Sequence, residues 1–196
     1  EAREKVADLF NVSPDEIIFT SCGSESDNNA IRGYLEAHPE KKHIVTTKVE
    51  HPAVLNVFKY LEKHHGYRTT YLSVNSKGMI SLDEVKEALT DDTALISVMT
   101  ANNEIGNIFP IGDIGVLAKE RGIAFHTDAV QAAGKLPMDL KALNVDMLSL
   151  SGHKLHAPKG IGVLYVRKGI HISPFIIGGH QESGRRAGTE NVPYIV

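Results

Sequence analysis

Short apolar segments alternate with amphipathic segments along the chain, and this alternation restricts the possible folds more than any other feature. Seven segments have the length and composition of buried strands, namely 16–20, 43–48, 67–74, 94–100, 123–128, 145–151 and 160–168. Helical spacing of apolar residues predicts helices over 25–38, 52–65, 81–91 and 111–122. The sequence therefore predicts one α/β domain over 1–196, with three layers (α/β/α) and a mostly parallel seven-stranded sheet.

Composition excludes several other classes of protein. Apolar residues make up 42% of the chain and charged residues 23%, as in ordinary globular proteins. The net charge of −3 does not suggest a nucleic acid or an anionic membrane as the main partner. The single cysteine, Cys22, fits a reducing compartment, so we expect a cytoplasmic protein. The chain begins inside a helical pattern and ends in an apolar stretch, and we interpret it as an internal piece of a longer protein.

Small residues follow the first predicted strand in "TSCGSESDN" and run directly into a helix. The N-terminus of a helix offers free N–H groups and partial positive charge, which suit a phosphate group. Gly23 would allow close approach of the backbone, and Ser24 would add a hydroxyl. The alternative is a plain capping turn formed by Ser24 and Asp27.

Other strand ends carry residues that are able to do chemistry. His51 precedes a helix after strand two, and Asn103 lies in "NNEIG" after strand four. Asp128 ends strand five, with Gln131 one short turn later, and Lys154 follows strand six in "SGHK". Each has a plain structural alternative, because Asp and Asn are common in loops, lone histidines are often structural and most lysines are solvated.

The shared position of these residues favours one ligand. In parallel sheets, ligands bind beyond the carboxyl ends of the strands. Three features meet at that edge: turns suited to phosphate, an acidic strand end, and a lysine able to act as an amine nucleophile. Together they describe a site for a phosphorylated, planar, cationic ring held by a lysine, which is pyridoxal 5'-phosphate.

The chain resembles the cysteine desulfurases within the class V aminotransferase group. Six stretches carry the resemblance and occur in the family's order: "FTSCGSESDN", "VEHPAV", "NNEIG", "HTDAVQAAGKLP", "SGHKLHAPKGIG" and "GGHQESGRRAGTEN". The resemblance implies the large domain of a pyridoxal-phosphate transferase, with the family's N-terminal segment and C-terminal small domain outside this chain. His180 within the usual glycine run and Ser24 in place of threonine depart from the family pattern, and a hydroxyl is retained at the second.

The resemblance also implies a role for each site residue. Lys154 would hold the cofactor covalently and act as the base, Asp128 would pair with the pyridine N–H, and His51 would stack on the ring and shuttle protons. Gln131 and Asn103 would lie near the phenolic oxygen of the ring. The phosphate would be held by Gly23, Ser24, Ser151 and His153, and by Thr189 reaching into the partner subunit of a homodimer. His156 and Arg186 receive no role.

The activity implied by the resemblance is removal of sulfur from L-cysteine, which gives L-alanine and an enzyme persulfide. The sulfur would pass to an iron–sulfur scaffold or a sulfur-carrier protein, for cluster assembly or tRNA thiolation. The family's persulfide cysteine lies downstream of this chain. Cys22 lies in the phosphate turn and is interpreted as structural, so the chain alone is expected to be inactive.

Three alternatives stay open on the sequence. One is another class V enzyme, such as a selenocysteine lyase or a kynureninase-like hydrolase. The second is a metal-dependent hydrolase that uses His126, Asp128, His153 and His156, although H-x-D and H-x-x-H pairs are weak metal signals. The third is a domain without catalytic activity that binds partner proteins.

Overall fold

The structure, a computed structural model, describes residues 1–196 and contains one seven-stranded sheet. The strands are β1 (Ile17–Thr20), β2 (His43–Thr47), β3 (Arg68–Leu72), β4 (Thr93–Ser97), β5 (Ala124–Asp128), β6 (Met147–Ser151) and β7 (Gly162–Val166). All seven predicted strands are present, with ends that differ by up to three residues from the prediction.

Six α-helices accompany the sheet: α1 (Ala2–Leu9), α2 (Gly23–Ala37), α3 (Pro52–His65), α4 (Leu82–Ala88), α5 (Ile111–Glu120) and α6 (Val192–Ile195). Their starts follow simple rules. Pro52 occupies the first turn of α3, where its missing N–H costs nothing, and the Ser81 hydroxyl accepts a hydrogen bond from the Glu84 N–H at the start of α4. None of the helices combines the length and apolar character needed to cross a membrane.

The strand order is β1-β7-β6-β5-β4-β2-β3, and only β7 runs against the others. Parallel pairing joins β2, β3, β4, β5 and β6, as the alternation of strands and helices predicts. The carboxyl ends of β1, β4, β5 and β6 therefore point to the same edge, where the sequence places its chemical groups.

Helices cover both faces of the sheet, which confirms the three-layer prediction. On β5, Phe125 packs with Ile114 of α5 on one face, whereas its neighbour Ala124 lies on the other face in a cluster with Ile31 of α2 and Phe58 of α3. Successive strand residues alternate between the faces, so a strand buried on both sides is rich in apolar residues on both of them. The two core clusters leave the carboxyl edge free for polar groups.

Candidate functional site

A cavity of about 220 Å³ opens at the carboxyl edge of the sheet. Nine of the ten predicted cofactor-binding residues line it, namely Gly23, Ser24, His51, Asn103, Asp128, Gln131, Ser151, His153 and Lys154. They come from the carboxyl ends of five different strands and the segments that follow them, so only the folded sheet brings them together. The convergence agrees with the general position of ligand sites in α/β proteins.

The turn between β1 and α2 forms one wall of the cavity. Cys22 is the N-cap residue and provides no side-chain cap, whereas Glu25 accepts hydrogen bonds from the backbone N–H and the hydroxyl of Ser21. The alternative prediction of a cap formed by Ser24 and Asp27 is therefore wrong. The carboxyl of Glu25 turns back to the preceding turn, and the N–H groups of the first helical turn stay available for an anion.

Two glycines allow this turn to lie close to the sheet. A Cβ atom on Gly23 would lie 2.9 Å from Val130 Cγ2, and one on Gly162 of β7 would lie 2.6 Å from the carbonyl carbon of Cys22. Real Cβ atoms do not come so close to other heavy atoms, so both positions require glycine for the observed packing. The thiol-bearing Cys22 is half-buried and lines the cavity.

Asp128 lies at the floor of the cavity and is 5% exposed. Its Oδ1 accepts a hydrogen bond from the Val130 N–H at 2.9 Å, and Oδ2 is left for a ligand. Burial raises the pKa of Asp128, while the Val130 N–H and the nearby His51 lower it. A buried carboxylate is costly unless a cation or a donor pairs with it, so this floor fits a protonated ring nitrogen.

Lys154 faces the same cavity from a short 3-10 helix, Gly152–Leu155, that follows β6. Its side chain is exposed, and its amine takes part in no ion pair or hydrogen bond. The 3-10 helix ends at His156, which adopts the left-handed conformation with φ 65°. His156 therefore has a backbone role, and Lys154 is a free amine at the mouth of a cavity with an acidic floor.

Hydrogen-bonding side chains and the imidazole ring of His51 form the remaining walls of the cavity. His153 Nδ1 lies 2.8 Å from the Ser151 hydroxyl. His51 caps α3 by accepting the Ala53 N–H on Nδ1 at 3.1 Å, so its Nε2 carries the proton in the neutral ring. Asn103 Nδ2 donates to Glu104 at 2.7 Å. These side chains surround the cavity with groups able to bind a phosphate and a planar ring.

Thr189 is the one predicted residue that the structure leaves outside. It lines a separate cavity with Phe19, Thr20, Glu182 and Arg186. The loop that carries Thr189 is fixed to the body of the chain: the guanidinium of Arg3 donates to both carboxyl oxygens of Glu182 at 2.8 and 2.7 Å. Thr189 therefore does not serve the cavity of its own chain.

Sequence reasoning missed three buried carboxyls near the site. Asp27 lines the cavity, Glu50 lies behind it, and Glu25 pairs with Arg186, whose Nε donates to Glu25 Oε1 at 2.8 Å. Burial raises the pKa of Glu25, but hydrogen bonds from Arg186 and Ser21 more than reverse this, so the pKa is lowered. No local pattern marks the burial of these carboxyls, because residues from distant parts of the chain enclose each of them.

The structure offers no set of metal ligands for the metal-hydrolase alternative. His126 is fully buried, with Nδ1 2.8 Å from the Ser97 hydroxyl and Nε2 2.9 Å from the Ser149 hydroxyl. Burial lowers the pKa of His126 to about 3. Both ring nitrogens are occupied, and no three His, Cys, Asp or Glu side chains are grouped to hold a metal ion.

Comparison with known proteins identifies the family of the chain. The aminotransferase class-V family model matches residues 1–196. The chain is 63% identical over 195 residues to a cysteine desulfurase from a Nostoc species, covering 100% of this chain and 48% of that protein. It is 55% identical over 197 residues to the cysteine desulfurase NifS of Azotobacter vinelandii, covering 100% of this chain and 49% of the relative. The chain thus spans about half the length of the curated relatives it matches.

Solved structures show the same fold. SspA in complex with cysteine superposes with a TM-score of 0.96 at 47% identity, covering 99% of this chain and 56% of SspA. The apo structure of a cysteine desulfurase from Thermococcus onnurineus has a TM-score of 0.92 at 30% identity, covering 99% of this chain and 52% of that one. With the family model matched from end to end, the chain belongs to the aminotransferase class-V family, whose members depend on pyridoxal phosphate.

Proposed function

We propose that this chain is the pyridoxal-phosphate-binding part of a cysteine desulfurase. The observation that carries the proposal is the pairing of Lys154 and Asp128 on one cavity: a free amine at the mouth and a buried carboxylate on the floor. The names of the relatives support the substrate, since several are cysteine desulfurases and one solved structure is SspA in complex with cysteine.

The cofactor would be held by residues at three levels of the cavity. The N-terminus of α2 with Gly23 and Ser24, together with Ser151 and His153, would bind the phosphate, because N–H groups, hydroxyls and an imidazole converge there. Asp128 would accept the ring N–H from the floor. His51 would cover the ring, with Gln131 and Asn103 beside its phenolic oxygen.

When bound, pyridoxal phosphate supplies an electron sink that stabilises negative charge on the substrate's α-carbon. The chain's own residues supply the rest. Asp128 would pair with the ring N–H, since a buried carboxylate favours a cation beside it. Lys154 would hold the cofactor, and its amine would accept the α-proton of the substrate. His51, with a proton on Nε2, is able to donate a proton from the face that it covers.

The overall reaction moves one sulfur atom. L-cysteine and a protein thiol give L-alanine and a persulfide on that thiol, so the carbon–sulfur bond breaks and a sulfur–sulfur bond forms without an external oxidant. The acceptor is a cysteine of the full-length protein other than Cys22, whose backbone shapes the proposed phosphate turn. The persulfide would then pass to an iron–sulfur scaffold or a sulfur-carrier protein in the cytoplasm.

In this proposal the protein is a homodimer, and Thr189 acts in the cofactor site of the partner subunit. The residue lies outside the cavity of its own chain, on a loop fixed by the ion pair between Arg3 and Glu182. We infer that Thr189 reaches the phosphate bound by the partner subunit. A hydroxyl supplied in this way would make each cofactor site depend on both chains.

Borohydride trapping tests the cofactor assignment. The full-length protein loaded with pyridoxal phosphate is reduced with borohydride, digested and mapped by mass spectrometry. We expect the pyridoxyl label on Lys154, and we expect Lys154→Ala to abolish both the yellow colour and the label. A label on another lysine, or none, would contradict the assignment.

Product analysis tests the reaction. With L-cysteine, the wild-type protein should release L-alanine and form a protein persulfide, and Lys154→Ala should do neither. A parallel assay with L-selenocysteine separates the desulfurase from a selenocysteine lyase. Turnover of L-selenocysteine without turnover of L-cysteine would overturn the desulfurase proposal while leaving the cofactor assignment intact.

A further inference from the structure

Asp27 is a second buried carboxyl at the floor of the cavity, and nothing in the proposed mechanism uses it. It lies in α2, is 1% exposed and lines the cavity together with Asp128. Its Oδ1 atom is buried and has no hydrogen-bond partner. An ionised carboxylate in that position would leave this oxygen without the donor or the cation that normally offsets burial.

The base that lies near Asp27 does not neutralise it. His126 Nε2 is 3.7 Å from Asp27 Oδ1, beyond hydrogen-bond distance, and is engaged at 2.9 Å with the Ser149 hydroxyl. Burial lowers the pKa of His126 to about 3, so the imidazole is neutral. The polar layer formed by Ser97, His126 and Ser149 therefore carries no positive charge toward Asp27.

Other ionisable groups around Asp27 favour its neutral form. Burial is the largest cause that raises the pKa of Asp27, and Asp128 of β5 is the next. The Ser149 hydroxyl lowers the pKa of Asp27, whereas Glu50 of the loop before α3 and Cys22 raise it by smaller amounts. The net direction is well above the ordinary value. The titratable groups around it are Cys22 on its own turn, Glu50 and His51 before α3, His126 and Asp128 on β5, and His153 and Lys154 after β6.

We propose that Asp27 is held as a neutral carboxylic acid beside Asp128, so that the floor of the cavity carries one negative charge. Ser149, next to Asp128 across β5 and β6, belongs to the same layer. One charge on the floor matches one charge on a protonated ring nitrogen, whereas two adjacent buried carboxylates would repel each other. This inference rests on the proposed function, which supplies the cationic ring.

The first test is the pH dependence of folding. A carboxyl whose pKa is higher in the folded protein binds more protons there, so stability falls as pH rises from the unfolded value toward the folded one. Urea unfolding of the cofactor-free full-length protein should show this fall in stability. Asp27→Asn should remove the part of the fall that Asp27 causes. The ratio of the folding equilibrium constant of Asp27→Asn to that of wild type should rise by up to about tenfold per pH unit above pH 4. A ratio that stays flat or falls with pH overturns the proposal.

The second test compares two asparagine variants in cofactor binding. A neutral acid is replaced well by an amide, so Asp27→Asn should bind pyridoxal phosphate within about threefold of wild type. Asp128→Asn removes the proposed charge partner and should bind at least about tenfold more weakly, the lower end of what a hydrogen bond to a charged group is worth. Equal losses in both variants would show that Asp27 carries charge and would overturn this inference. An unaffected Asp128→Asn would instead count against the proposed function.

Infrared spectroscopy covers the case in which Asp27→Asn does not fold. Wild-type protein labelled with ¹³C in its aspartate carboxyls should retain a protonated C=O band at pH 8. The aspartate label keeps the glutamates, including Glu50, out of this isotope-shifted band. Complete absence of the band in folded wild-type protein at pH 8 would overturn the proposal.

Discussion

Arg186 and Glu25 lie 161 positions apart in sequence and form a paired ion contact, with Arg186 Nε at 2.8 Å from Oε1 and NH2 at 3.1 Å from Oε2. Glu25 also fixes Ser21 in the turn before α2. The pair therefore connects the turn proposed to bind phosphate with the loop that carries Thr189, and it gives Arg186 the role that the sequence did not reveal.

Removal of one partner from this pair should be strongly destabilising. Arg186→Ala leaves the nearly buried Glu25 without its cation, and we expect the free energy of unfolding to fall by about 3 kcal/mol in urea denaturation. Arg68→Ala is the matched control, because the pair between Arg68 and Asp92 is exposed and should cost less than about 1 kcal/mol. Equal effects of the two variants would contradict the structural role of Arg186.

Lys154→Ala should abolish desulfurase turnover in the full-length protein. Loss of the amine would remove both the proposed covalent anchor and the proposed base, and loss of general-base catalysis alone costs on the order of 10²–10⁴-fold in rate. The measurement is alanine release from L-cysteine at saturating pyridoxal phosphate. Lys159→Ala, an exposed lysine on the same loop, is the control and should retain wild-type activity.

Glu50 should make the fold less stable as pH rises. Its carboxyl accepts hydrogen bonds from Thr47 and the Met99 N–H, but burial raises its pKa to about 8. Because the folded pKa lies above the unfolded one, the contribution of Glu50 is fully present below about pH 4 and is lost between about pH 4 and 8, by up to about 1.4 kcal/mol per pH unit.

Glu50→Gln should remove that loss. Unfolding free energies measured from pH 4 to pH 9 should therefore converge with wild type at the acid end and exceed it at pH 8. Glu87→Gln, at an exposed position of α4, should follow the wild-type curve throughout. A variant that parallels wild type at every pH would mean that Glu50 is ionised in the folded protein.

Gly162→Ala should disturb the turn between β1 and α2, which is proposed to bind phosphate. The added methyl group would lie 2.6 Å from the Cys22 carbonyl carbon and 2.8 Å from its oxygen, and backbone cannot move aside as a flexible side chain can. Overpacking of this kind costs about 1–3 kcal/mol, and we expect weaker binding of pyridoxal phosphate as well. Gly112→Ala in α5 approaches only the Leu143 side chain at 3.2 Å and is the control.

Much of the fold was predictable because burial on both faces of a parallel sheet favours short segments rich in apolar residues, as in Ala94–Ile96 of β4. The reversed direction of β7 was not predicted. Only ten residues, 152–161, separate β6 from β7, and they form a 3-10 turn and a loop instead of a crossover helix. A connection of this length favours antiparallel return, which is a property of the loop and leaves no mark on the strand itself.

The sequence could indicate which residues form the site, but not what surrounds their side chains. Residues at strand ends such as Asp128 and Lys154 occur in recognisable local patterns. Asp27 does not: "SESD" is equally consistent with a capping turn, and only the packing of α2 against β5 and β6 buries its carboxyl. Partners that come from distant segments, as for Glu25, are decided by tertiary packing.

The position of β1 has a consequence for folding of the nascent chain. As an edge strand, β1 pairs with β7 alone, so residues 17–20 cannot take their place until residues 162–166 have left the ribosome. The turn that follows β1 is therefore completed after the parallel strands β2 to β6 are available to pair. Because such long-range contacts form slowly, the cavity wall proposed to bind phosphate should be among the last parts to order, and early nascent chains should be unable to retain a cofactor.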